Sequence, residues 1–358
     1  MPKLKKITVK GYKSINDLDN FELSDLNILI GANGAGKSNF INIFKLLANI
    51  GDQTLQLFTQ KSGGPDSLLH FGRKKTEKIH MEFYFGANGY KIDLIPTNDN
   101  RLIFEKEMIY FSGDYRDVTY IIGQGNEEAN LKDSRERVAE YVRPIFSSWR
   151  VYHFHDTGDS AKVKQKHKSN DNLKLKNDGA NLAAYLKRLH ADYNDNYQQI
   201  VKTIQMVAPF FGDFVFRESE DIELEWTEIG DPDTPFKAHA LSDGTLRFIC
   251  LSTLLLQPFK LMPDTILIDE PELGLHPYAI NVLSDLISRA SEKKQLIISS
   301  QSVELINNFE PQHVIAVDRE DNCSILRRLD SEKLSDWLED YTLGELWKRN
   351  ILGARPSR

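Results

Sequence analysis

Three short runs carry residue types and spacings that could do chemistry. Gly31-Ala32-Asn33-Gly34-Ala35-Gly36-Lys37-Ser38 fits G-x-x-x-x-G-K-[ST] in full. Polyphosphate is best wrapped by backbone N–H groups, and bulky side chains would hold the backbone off. Gly31, Gly34 and Gly36 let the loop curl around Asn33 and Ala35. Lys37 can then reach the β- and γ-phosphates, and the Ser38 hydroxyl can ligate Mg²⁺. The second run, Thr265-Ile266-Leu267-Ile268-Asp269-Glu270-Pro271-Glu272, is apolar and ends in acids. Asp269 at its tip is placed to hold Mg²⁺ through water, and Glu270 can accept a proton from an attacking water. The third, Leu241-Ser242-Asp243-Gly244-Thr245, opens a helical pattern. A Ser-x-Gly turn can cradle a second anion with its hydroxyl, its N–H groups and the helix dipole, and Ser242 can equally serve as a plain helix cap.

The elements that must position these runs follow from periodicity. Residues 26–30 read as a buried strand and 39–47 as a helix that stops near Gly51. From residue 240 a long apolar helix, 245–256, precedes strands at 265–268, 295–298 and 313–317, alternating with helices at 278–290 and 303–308. That alternation predicts a parallel sheet with crossover helices. Near the N-terminus, residues 4–10 form a strand, Gly11-Tyr12-Lys13-Ser14-Ile15 a turn, and 78–85, 90–95 and 101–107 an antiparallel meander. The middle reads as polar then helical at 126–147, a strand at 150–154, a polar mobile loop at 156–178, one helix over 181–207 and a strand at 222–226. Two short helices, 332–340 and 343–350, follow the last strand. The expected organisation is an N-terminal lobe 1–122, a mainly helical insertion 123–221, a C-terminal lobe 222–328 and C-terminal helices 329–358.

With 358 residues, 41% hydrophobic and 27% charged, the chain can build a sizeable core. Its net charge of −7 does not advertise nucleic-acid binding. Two cysteines, Cys250 and Cys323, make no disulfide framework and point to a reducing cytosol. The basic start, residues 1–6, lacks the apolar core of a signal peptide, and no run has membrane-spanning length. The expectation is a cytoplasmic protein with no membrane partner.

The order of the glycine loop, Leu-Ser-x-Gly, the strand ending Asp-Glu-Pro-Glu and a later polar position resembles the ABC-type ATPases of the SMC/RecF group. It is most similar to stand-alone bacterial SMC-like ATPases related to the OLD-family ATPase domain. Gly11 to Ile15 matches that group's N-terminal element, in which a basic residue, here Lys13 beside Ser14, approaches the nucleotide; Asn39 after Ser38 is also typical. The resemblance implies an α/β, ABC-type P-loop NTPase with an antiparallel β-subdomain, a parallel-sheet core and a helical insertion. It implies ATP and Mg²⁺, slow hydrolysis, and a homodimer sandwiching two ATP molecules, with Ser242 and Gly244 contacting the γ-phosphate in trans. Residues 272–277 match the segment that crosses the dimer interface, and His276-Pro277 also reads as a helix start. A separately encoded effector, in phage defence or the DNA-damage response, is implied by family alone. The alternatives are a RecF-like DNA-binding repair ATPase, for which DNA is not favoured by charge, and a nucleotide-gated scaffold without catalysis.

Where the family usually has a γ-phosphate-sensing histidine, this chain has Gln301, which can hydrogen-bond but stays uncharged; a helix-capping loop is the other reading. His153 and His155 share one strand face, open to a metal pair or to ordinary strand-end roles. Asp231-Pro232-Asp233 reads as a turn rather than paired nuclease acids. The basic cluster Lys162, Lys164, Lys166, His167 and Lys168 reads as solvated surface rather than a nucleic-acid site.

Overall fold

Strand Ile79–Phe85 buries every second side chain, as its alternating sequence requires. The computed structural model describes residues 3–113 and 116–354, so Met1 and Pro2 of the basic N-terminal stretch lie outside the described residues. The chain forms two compact units, Met1–Arg150 with Pro311–Arg358, and Val151–Glu310. The insertion expected over 123–221 contributes to both.

In the first unit, six antiparallel strands lie in the order Ile15–Glu22, Lys6–Tyr12, Ile79–Phe85, Asn88–Pro96, Leu102–Gly113 and Arg116–Gly123. The last of these extends the expected meander. On the buried face, Phe83 and Tyr90 meet Phe146 of helix Arg137–Ser148, with centroids 6.3 and 4.8 Å apart. Trp149 meets Phe44 of helix Lys37–Gly51 at 5.2 Å. This aromatic cluster fixes the helix behind the glycine loop to the sheet. A second set of strands holds the loop's other side. Leu26–Ile30, buried throughout, runs parallel to Val314–Glu320, which pairs antiparallel with Cys323–Arg328.

The wet face of the six-stranded sheet carries an ionic cluster. His80 Nδ1 is 2.7 Å from Asp93 Oδ1 and its Nε2 3.0 Å from Glu82 Oε1; Glu82 also meets Lys91 and Tyr84, and Lys78 lies 3.6 Å from Asp93. The Asp93 hydrogen bond raises the His80 pKa to about 9, and the His80 hydrogen bond lowers that of Glu82 to about 2. The stability His80 contributes is therefore full below its unfolded pKa of about 6.5 and lost as pH rises through about 9. Glu82's contribution is full above an unfolded pKa of about 4.3 and lost as pH falls towards about 2. Denaturant midpoints followed across pH should show an alkaline decline that His80→Gln flattens; parallel profiles would refute the assignment.

In the second unit, Thr265–Asp269 runs parallel to Gln295–Ser300 across the crossover helix Pro277–Ser291. Helix Asp243–Leu256 is buried almost along its whole length. Phe211–Val215, Glu225–Glu228 and Asp231–Lys237 form a small antiparallel sheet in which Trp226 stacks on Phe211 at 5.7 Å.

Several local expectations change. The single helix over 181–207 is two, Leu182–Asp192 and Asn194–Val207, broken at Tyr193 (φ −142°, ψ 52°). The break falls in a polar run, Asp192, Asn194, Asp195 and Asn196, of residue types with low helix propensity. The strand expected at 222–226 is split into Asp221–Ile222 and Glu225–Glu228. Asp231 opens an edge strand rather than a turn; the edge tolerates Pro232 and Pro235 because no ladder donor is needed there. The polar segment 156–178 is anchored: Ala161, Val163, Lys164 and Leu175 are buried, and His167–Lys168 pairs with Asp221–Ile222. Among the described residues, no helix is long and apolar enough to cross a membrane.

Candidate nucleotide site

The glycine loop leaves a fully buried strand and ends at helix Lys37–Gly51, whose first turn carries no acidic residue. Its free N–H groups therefore face no local counter-charge. Gly36, at φ +118°, is the N-cap. A Cβ there would overlap Ser324 Oγ and come within 2.9 Å of Ser14 Oγ. A Cβ on Gly31 would stand 2.5 Å from Val317 O, whereas one on Gly34 would meet nothing within 4 Å. The three glycines thus do different work: two admit neighbouring chain and one exposes backbone.

Behind the loop runs a hydrogen-bond chain. Asn39 Nδ2 donates to Ser14 Oγ (2.7 Å), and Ser324 Oγ lies 2.6 Å from both Ser14 Oγ and Ala35 O. Ser324 has one hydroxyl hydrogen and the carbonyl can only accept. Ser324 therefore donates to Ala35 O and accepts from Ser14. Ser14 and Asn39, expected at the nucleotide, point their polar atoms into this brace. Lys37 Nζ donates to Gly31 O (2.6 Å) and Ala32 O (3.2 Å), which satisfies an almost fully buried ammonium. Asn33, Gly34 and Ser38 are exposed at the loop's outer side. Arg319 reaches Gly34 O from outside (3.1 Å). Lys13 is held in a left-handed turn (φ +48°), its pKa lowered by burial, and its carbonyl accepts from His70 Nδ1 at 2.6 Å. That bond leaves His70 Nε2 as the acceptor 3.7 Å from Cys323 Sγ. Burial pushes the other thiol, Cys250, up to about 12, so it stays protonated.

In the second unit, Asp269 ends its strand with one carboxylate oxygen hydrogen-bonded by Ser299 Oγ and the other 3.6 Å from His153 Nδ1. His155 Nε2 donates to Asp269 O at 2.8 Å. Both histidines of the expected strand face thus attend to Asp269, and among the described residues no group of three or more His, Cys, Asp or Glu is arranged to hold a metal. Glu270 sits at φ +45°, a backbone costing about 1–3 kcal/mol for such a residue. Its N–H donates to Ser299 O (2.9 Å), and its carboxylate accepts from Gln301 Nε2. Gln301 therefore orients an acid rather than closing a helix cap, which Ser302 does for Leu305 N at 3.1 Å. Glu272 is buried, and burial raises its pKa. Its Oε1 accepts from Ser300 Oγ (2.8 Å), Gln301 N (2.8 Å) and Ser302 N (3.2 Å), which fixes the Gln301 loop.

Ser242 Oγ accepts from Thr245 N at 3.1 Å, the capping role, and Gly244 is packed so that a Cβ would lie 2.5 Å from Gly274 O. From the same helix Arg247 donates to Phe154 O (3.1 Å), His155 O (2.9 Å) and Leu273 O (2.7 Å). His276 caps the next helix through Nδ1, with Pro277 in its first turn as the sequence predicts. Ser324, Arg319 and Arg247 carry no motif, and Glu272, though it closes the Asp-Glu-Pro-Glu run, takes no role of its own from the sequence; their partners lie far off in sequence, so only three-dimensional contact reveals what they hold.

The sequence model of a family described as "AAA domain, putative AbiEii toxin, Type IV TA system" matches residues 26–307, from the strand before the glycine loop to the helix after Gln301. The chain belongs to this family. The AAA-domain chain is 23% identical to the OLD nuclease of Thermus scotoductus over an alignment of 386 residues, covering 95% of its own length and 67% of that protein. It is 39% identical to the Old nuclease of Escherichia phage P2 over 72 residues, 20% of this chain and 12% of the phage protein. Among solved structures it is similar to an SMC head bound to the C-winged helix domain of ScpA, with a TM-score of 0.63 and 17% identity over 94% of this chain and all of that one. The fold is that of the SMC head, an α/β P-loop NTPase with mixed sheets, and the chain is an AAA-domain ATPase similar in sequence to the OLD nucleases.

Proposed function

We propose that this ATPase binds ATP with Mg²⁺, hydrolyses it slowly, and uses assembly of two copies around two nucleotides to control a separately encoded effector in the cytoplasm. The observation that carries the reading is the Glu270–Gln301 contact next to Asp269, on the same chain as a complete phosphate loop. Lys37 exchanges the carbonyls of Gly31 and Ala32 for phosphate oxygens. The N-terminus of helix Lys37–Gly51 supplies N–H donors to the same anion. Ser38 Oγ, exposed at the second position of that helix, and the Asp269 carboxylate are hard oxygen donors that suit Mg²⁺ and would hold it. When bound, the ion neutralises charge on the β- and γ-phosphates. Glu270 accepts a proton from the attacking water, and the Gln301 amide fixes the carboxylate's direction. The Ser242–Gly244 turn caps the γ-phosphate of the second copy's nucleotide.

The family description, with its toxin and its toxin–antitoxin system, supports a partner encoded apart from this chain, and the resemblance to SMC-like ATPases supports defence or DNA damage as the setting. The OLD nuclease names bring DNA into range as a second ligand. On the basic segment, however, Lys162, Lys166 and Lys168 face Asp178, Glu223 and Asp221 at 2.9, 3.8 and 3.0 Å. Duplex binding that strengthens with ATP and weakens with salt would establish the DNA reading.

The test measures solution mass and phosphate release with ATP for the wild type and Lys37→Ala. The wild type should shift to twice its mass and release phosphate, and Lys37→Ala should do neither. A wild type that stays at one mass and releases no phosphate would overturn the proposal.

A further inference from the structure

Cys323 opens its strand half-buried, and its thiol stands between two acceptors, His70 Nε2 and Asp321 O, each at 3.7 Å. His70 is 7% exposed and held at three points. Its N–H donates to Gly11 O (3.0 Å), its carbonyl accepts from Thr76 Oγ1, and Nδ1 donates to Lys13 O (2.6 Å). The Lys13 carbonyl can only accept, so Nδ1 keeps its hydrogen and Nε2 of the neutral ring offers a lone pair. Among the described residues that lone pair has no hydrogen-bond partner except Cys323 Sγ. A thiol, a buried base aimed at it and a third group that orients the base make the arrangement of an activated nucleophile. ATP hydrolysis uses none of the three. Cys250, the other thiol, is buried and stays protonated.

The nucleophile adjoins the brace behind the phosphate loop. The next residue, Ser324, donates its N–H to Ser14 O (2.7 Å) and its hydroxyl to Ala35 O, and all of these residues lie in one compact unit. We propose that Cys323 is a thiol-modification site, activated by His70, at which a low-molecular-weight disulfide forms a mixed disulfide that loosens the phosphate loop. His70 Nε2 takes the Cys323 proton, and the thiolate attacks one sulfur of the disulfide. The bond to Cys323 Sγ forms as the reagent's own S–S bond breaks, and the departing thiolate takes the proton back from His70. The adduct replaces the hydrogen that His70 accepted, and its bulk stands one residue from Ser324. The effect on the loop rests on the loop's proposed reading as a nucleotide site; the reactivity does not.

The full chain is treated with oxidised glutathione, and the adduct is followed by intact mass and located by peptide mapping. One adduct is expected, on Cys323. It should form about tenfold or more faster in the folded chain than in the chain unfolded in denaturant, although folding half-buries the thiol. That comparison needs no variant, and His70→Gln should lose most of the advantage. A folded rate no higher than the unfolded one, an adduct on Cys250 instead, or a His70→Gln rate equal to wild type overturns the site. The glutathione adduct should bind a fluorescent ATP analogue about tenfold or more weakly and recover on reduction, whereas Cys323→Ser should be indifferent to the disulfide. Unchanged ATP binding by the adduct overturns the control of the loop. A reduced wild type that binds no ATP refutes the nucleotide reading instead, and the exchange rates still decide the thiol site.

Discussion

Glu270→Gln should slow phosphate release by about 10²–10⁴-fold while ATP binding persists. The substitution keeps the side chain's shape and removes the proton acceptor. It also alters the contact with Gln301, whose amide donates to the Glu270 carboxylate. In the variant two amides face each other, and one can still donate to the other's carbonyl, so the loop stays closed. Glu272 holds the Gln301 backbone independently of Glu270, which limits the damage further. The expected result is therefore a chemical defect without a folding defect: slow turnover, unchanged melting and accumulation of the ATP-bound assembly. Single-turnover phosphate release beside solution mass reads both. Turnover within about threefold of wild type would remove Glu270 from the base position, because a general base contributes far more than that.

The second large effect is expected from Gly36→Ala, with Gly34→Ala as its internal contrast. Both positions have positive φ, +118° and +80°, so alanine at either carries a backbone penalty of about 1–3 kcal/mol. Only Gly36 also faces neighbours: its new methyl would overlap Ser324 Oγ and crowd Ser14 Oγ. Relief requires breaking the Asn39–Ser14–Ser324–Ala35 chain that holds the loop's curve. Gly36→Ala should therefore lower ATP affinity by about a hundredfold, against about tenfold or less for Gly34→Ala, a gap near 1.4 kcal/mol or more. Titration with a fluorescent ATP analogue measures both. Equal losses would mean that strain alone, and not the brace, sets the loop's shape.

The motifs were legible because their chemistry is local. A phosphate loop, a strand ending in acids and a serine before a helix each fit within ten residues, and each stands on the element its sequence requires. The parallel pairs and the antiparallel meander were legible for the same reason, since side-chain period tracks burial. What escaped was long-range or depended on competition. Tyr193 breaks a helix whose apolar stripe continues past it, at a backbone of φ −142° and ψ 52° that the stripe does not reveal. Asp231 joins a strand although proline argued for a turn, because an edge position asks nothing of the missing N–H. Lys164 is indistinguishable in sequence from its three surface neighbours. Its burial depends on how residues 161–164 fold against the rest of their unit, and no local pattern encodes that. Gln301 was legible as a position but not as a partner, since its contact with Glu270 spans 31 residues.

The distance between Ser14 and Ser324 along the chain, 310 residues, has a consequence for how the protein is made. Residues 31–38 leave the ribosome well before the hydroxyl that fastens Ala35, which follows that residue by 289 positions. The strand carrying it, Cys323–Arg328, must dock on Val314–Glu320 before the brace can close. Contacts of such long separation form late in folding because the loop-closure entropy is paid first. A nascent chain thus holds every residue of its phosphate motif while lacking the fastening that shapes it. Nucleotide affinity then matures only once Ser324 has docked, so a nascent chain that stops short of it is kept from engaging ATP by the order of its own translation.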